Sequence, residues 1–121
     1  MFVRPVLVFF AGLMGAAGVA AAAAGAHLPD VPNLPVAAQF LLFHAAAVVA
    51  LAALSAAAGG RLLAEIAAIV LMAGAGLFSG SLIVDDLNAA RPLAALAPVG
   101  GTTLIAGWLL VSVAGLALFR R

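Results

Sequence analysis

Leu77-Phe78-Ser79-Gly80-Ser81-Leu82 closes the third of four long apolar stretches in a chain of 121 residues. Two serines and a glycine end a run that otherwise reads as hydrocarbon-facing. In a membrane, hydroxyl and glycine positions mark where helices meet each other rather than lipid. Outward from it, charge-free runs cover 5–29, 31–60, 66–84 and 92–119. Each is long enough for a spanning helix, for which about 18 apolar residues suffice. Four such runs leave no room for a soluble domain.

Composition agrees. The chain is 68% hydrophobic and 7% charged, against about 45–50% and about 25% in soluble domains. The expected fold class is therefore all-α, an integral membrane four-helix bundle. It is a single transmembrane domain over 1–121, with helices about 5–26, 36–57, 62–84 and 99–119. The net charge of +1 is too small to suggest a nucleic-acid partner or a polybasic lipid switch, and the four apolar runs make the lipid bilayer the first partner. With no cysteine there is no thiolate chemistry, and the redox compartment cannot be read.

The first segment resembles a secretory signal, with Arg4, an apolar run and Ala24-Gly25-Ala26. However, Pro5 to Ala26 is longer than a signal core of about 7–15 residues, so the segment is expected to stay as a helix. Gly15, Gly18, Ala22 and Gly25 recur at 3-4-3 spacing and share one face, a flat stripe for a neighbouring backbone. The loop His27 to Pro35 holds three of the six prolines and cannot be helical throughout. His27 sits where it can satisfy last-turn carbonyls.

In the second helix His44 lies about 12 Å from the helix start, at about 1.5 Å per residue. An ionisable group at that depth is a functional-site candidate. Three readings stay open for it: a neutral imidazole hydrogen-bonded between helices, a ligand or proton role, and a contact to another subunit. The short turn Ala58-Gly59-Gly60 makes helices two and three antiparallel neighbours. Arg61 and Glu65 are spaced to pair. Gly76 and Gly80 have the small-xxx-small spacing of close helix contacts.

Asp85, Asp86 and Arg91 fall in the next loop, read as solvated, with a short interfacial helix at about 89–96. Pro98 marks the expected start of helix four near Val99. Arg4, Arg61, Arg120 and Arg121 would lie on one side and Arg91 on the other, so both termini are expected in the cytoplasm. On that topology His27, His44, Ser79, Ser81, Thr102 and Thr103 share the outer half. They are expected to form one intramembrane polar cluster, because unpaired polar groups in lipid are expensive. Trp108 is expected to pack inside, and Gly100, Gly101 and Gly107 add to the packing set.

Gly25-Ala26-His27, Phe43-His44, Leu77 to Leu82, Pro98-Val99-Gly100-Gly101 and Ala106-Gly107-Trp108 together resemble the YgdD-like family, small inner-membrane proteins grouped as domain of unknown function 423. The resemblance covers nearly the whole chain. It implies a four-helix protein of the bacterial inner membrane and no established reaction. The chain departs from the family pattern at Ile83, at Leu41-Leu42 and at Asp85-Asp86, which thins the polar surroundings of His44. Two histidines with no cysteine do not complete a ligand set, so no metal, cofactor or catalytic residue is expected. A structural or accessory subunit of a larger membrane complex, or a homo-oligomer, is the expected role. A small-solute transporter or channel using the cluster around His44 is the alternative.

Overall fold

The computed structural model describes residues 2–57 and 61–119. Four helices follow in order: α1 (Val3–His27), α2 (Leu34–Ala57), α3 (Arg61–Leu87) and α4 (Leu96–Leu118). All four are long and apolar enough to cross a membrane. Their lengths correspond to about 34–40 Å at about 1.5 Å per residue, against a hydrocarbon core of about 30 Å. This is the construction of a multi-pass membrane protein. The turn expected at 58–60 and the arginines at 120 and 121 lie outside the described residues.

All four helices begin or end beyond their expected bounds. α1 and α2 start two residues early because Pro5 and Pro35 sit in first turns, where the missing N–H is not needed. α4 starts at Leu96 and takes Pro98 into its first turn in the same way. α3 continues through Asp85 and Asp86 to Leu87, since both carboxylates find partners there. The interfacial helix expected at about 89–96 is instead a series of turns, interrupted at Arg91 by a left-handed backbone with φ 47°.

α2 and α3 form the centre, with α1 laid on α2 and α4 laid on α3. α1 also touches α3, whereas α1 and α4 do not approach each other among the described residues. The four helices are thus one packed unit without being a closed ring. Its core is built from small side chains. Ala37, Ala67, Ala68 and Ala75 are fully buried, with Leu71 and Val48 between them. Lipid is as apolar as leucine, so association depends on contact density and on hydrogen bonds, and small residues provide close approach.

Glycine positions show where that approach is tightest. A Cβ on Gly18 would lie 2.8 Å from Leu42 Cγ, and one on Gly25 3.2 Å from Pro35. Gly15 meets Ala45 more loosely, at 3.9 Å. Between α3 and α4 the contacts run in opposite order: Leu71 against Gly107, Gly74 against Leu104, Phe78 against Gly100. Gly101 touches the Phe78 ring at 3.9 Å.

Two expected packing glycines do not take part. A Cβ on Gly76 or Gly80 would meet nothing within 4 Å. The reason is helical phase. Gly74, Leu71 and Phe78 share a face at 3-4 spacing, and Gly76 is about 200° around the helix from Gly74 at about 3.6 residues per turn.

Gly100→Ala should therefore be costly, because its Cβ would lie 2.8 Å from Phe78 Cα and backbone cannot yield as a side chain can. The expected loss is about 1–3 kcal/mol, the usual cost of overpacking, read as a lower thermal midpoint in detergent. Gly76→Ala and Gly80→Ala should match the parent or exceed it. Equal losses at positions 76 and 100 would contradict this helix phase.

Candidate functional site

The buried imidazole of the bundle is His44 on α2, 5% exposed. Two partners hold its ring. Its Nδ1 lies 2.7 Å from the Phe40 carbonyl one turn earlier, and Trp108 Nε1 on α4 lies 3.1 Å from its Nε2. An indole N–H can only donate, so Nε2 must present its lone pair. The proton then sits on Nδ1 and is donated to Phe40. Both nitrogens are satisfied by a neutral imidazole in one tautomer.

Aromatic rings surround this pair. Phe40 stacks on His44 with centroids 5.7 Å apart, and the Phe78 ring on α3 is 4.5 Å from Phe40. Together with Leu104 and Ile105 they line a cleft of about 340 Å³ between α2, α3 and α4. Trp108 was expected to pack inside. Instead it is 46% exposed, with its N–H turned inward and its apolar body toward the lipid side, as amphipathic rings do.

The other residues of the expected polar cluster are not brought to His44. Ser79 is fully buried, and its hydroxyl donates to the Ala37 carbonyl at 2.9 Å, tying α3 to α2. Ser81 donates to Phe78 of its own helix at 2.9 Å. Thr102 and Thr103 donate to Pro98 and Val99, each at 2.8 Å, and border an outward-facing groove with Ala106. His27 is exposed at the end of α1 and makes no side-chain hydrogen bond among the described residues. Depth alone does not bring hydroxyls together, because a hydroxyl in a helix can satisfy itself on the carbonyl three or four residues back. Among the described residues, Ser79 is the one serine or threonine whose hydroxyl reaches another helix.

Two carboxylates read as solvated are structural. Asp86 accepts from the backbone N–H of Asn33 and Leu34 at 2.8 and 2.9 Å, and from Asn33 Nδ2 at 2.9 Å. It thereby caps the N-terminus of α2 from the end of α3, placing negative charge where the helix dipole favours it. Asp85 is buried and accepts from Leu93 N–H at 2.9 Å in the turns leading into α4. The signal was the acidic pair two helices after Asn33-Leu34-Pro35, but assigning it needed the partner helix.

At the opposite end, Glu65 is buried and takes Arg61 Nε at 3.1 Å, the pairing expected from their spacing, with Arg4 Nε at 3.8 Å. Among the described residues, no three of His, Cys, Asp and Glu gather to hold a metal ion, and no buried side-chain nitrogen or oxygen lacks a partner.

Asp86→Ala should lower stability by about 1–3 kcal/mol, the cost of stranding half-buried donors, whereas Asp30→Asn, at an exposed position whose left-handed backbone (φ 57°) asparagine tolerates, should be neutral. Thermal unfolding of the two variants tests this, and equal midpoints would contradict the cap. Trp108 is the sole tryptophan, so its fluorescence reports the His44 bond directly. His44→Leu should shift the emission, His44→Gln should restore much of the lost stability, and His27→Leu should leave both unchanged.

No curated protein and no solved structure matches this chain. The sequence profile of one family, described as protein of unknown function (DUF423), matches residues 8–101, which takes in His44, Ser79, Asp85 and Asp86 and stops before Trp108. The chain belongs to the DUF423 family.

Proposed function

We propose that this protein is a structural or accessory subunit of a bacterial inner membrane, built to be covered by the helices of a larger complex. The topology in this reading is up-down-up-down with both termini in the cytoplasm. The opposed order of contacts between neighbours supports the alternation: Gly15 with Ala45 and Gly25 with Pro35, then Leu71 with Gly107 and Phe78 with Gly100. The arginine distribution, four against one, supports the orientation.

One observation carries the role. The buried polar side chains of the described spans are all satisfied within the chain, while a Cβ at Gly76 or Gly80, the close-packing positions of α3, would meet nothing within 4 Å. His44 supports the same reading, because neither ring nitrogen is left for a substrate, proton or ligand. A catalytic role would need at least one such group in reserve. Transport would call for polar groups aimed into a passage, whereas Thr102, Thr103 and Ser81 are turned back on their own helices.

Gentle solubilisation at native expression, followed by native mass spectrometry, tests the proposal. The expected result is a stoichiometric larger assembly that Gly76→Leu and Gly80→Leu dissociate without lowering the monomer's thermal midpoint. A bare monomer from native membranes, unchanged by either substitution, would overturn it.

A further inference from the structure

We infer that the groove between the start of α1 and the end of α2 is a binding site for an anionic phospholipid, with Arg4 holding the headgroup phosphate. The inference rests on the membrane-spanning reading but not on the presence of a partner complex. The groove has a volume of about 560 Å³, with Arg4 at one end and Pro5, Val8, Phe9, Val49 and Ala53 along it. Its walls are apolar and its single charged residue is a cation. That combination suits a phosphate ester carrying an acyl chain.

Charge balance at the rim points the same way. Arg4 and Arg61 share one carboxylate, Glu65, both through Nε and both on the same oxygen. Two guanidiniums offer ten N–H donors in all. Among the described residues one of these forms a hydrogen bond, from Arg61, and the Arg4 contact of 3.8 Å is a charge contact only. One positive charge is therefore left over beside the groove. The α1 N-terminus adds to it, since Phe2 gives no side-chain cap and its first turn has no acidic residue. Basic pockets between helices are the usual seat of anionic headgroups, and guanidinium matches phosphate in a two-pronged fashion.

The bound lipid would lie across α1 and α2, with its headgroup over the Arg4–Glu65–Arg61 contact and one chain beside Phe9 and Val49. Phe9 and Val49 are 62% and 44% exposed, so the chain covers surface that the protein leaves open.

The test is native mass spectrometry of the full chain incubated with equal amounts of phosphatidylglycerol and phosphatidylcholine. The parent should retain phosphatidylglycerol several-fold over phosphatidylcholine, and excess inorganic phosphate should not displace it. Arg4→Gln should abolish the preference. Ala53→Trp, at an exposed position, should fill the groove and reduce retention with every arginine in place, so the site remains testable if Arg4→Gln fails to fold. Equal retention of the two lipids by the parent would overturn the inference. So would retention unaffected by Ala53→Trp, or full displacement by inorganic phosphate.

Discussion

Everything in this molecule depends on how closely α3 and α4 can approach. In water, helices are driven together by burying apolar surface, but within lipid that drive is absent and contact density replaces it. Gly100 lets α4 run directly against the Phe78 backbone, while Gly74 and Gly107 receive Leu104 and Leu71. That contact sets the distance at which the Trp108 indole reaches across to His44 on α2. The histidine is therefore held by a bond whose geometry is established elsewhere, through α3.

The second constraint is that lipid supplies no partner for a polar group. The hydrogen-bonded polar side chains of the spans meet it in one of three ways. Most hydroxyls turn back on their own helix. Ser79 and His44 bond across helices. The carboxylates at the ends close neighbouring structure, Asp86 on α2, Asp85 on the turns before α4, and Glu65 between two arginines. Seen this way, the ends of the helices are tied by charge and their middles by shape.

Apolar run lengths made the number and rough extent of the helices legible in the sequence, because a spanning segment must be continuous. The Arg61–Glu65 pair and the contact glycines of α1 and α4 were legible for a similar reason, being local spacing or a face of one helix. What depended on partners was not. Gly76 and Gly80 carried the expected spacing, yet helix phase gave the contact to Gly74. Depth places six polar residues together but says nothing of azimuth, and among the described residues four of the six make no hydrogen bond to another helix. Trp108 proved to be the missing partner of His44, a pairing across 64 positions that no periodicity announces.

The central claim is that the intramembrane histidine is a satisfied structural group in a single tautomer. Nitrogen NMR of imidazole-labelled protein in lipid bilayers, with His27 replaced by Gln so that one histidine remains, measures this most directly. The account predicts one protonated nitrogen, Nδ1, and one hydrogen-bond-accepting nitrogen, Nε2, the latter perturbed by Trp108→Phe. A proton on Nε2, or on both nitrogens, would contradict it and return His44 to the groups available for chemistry.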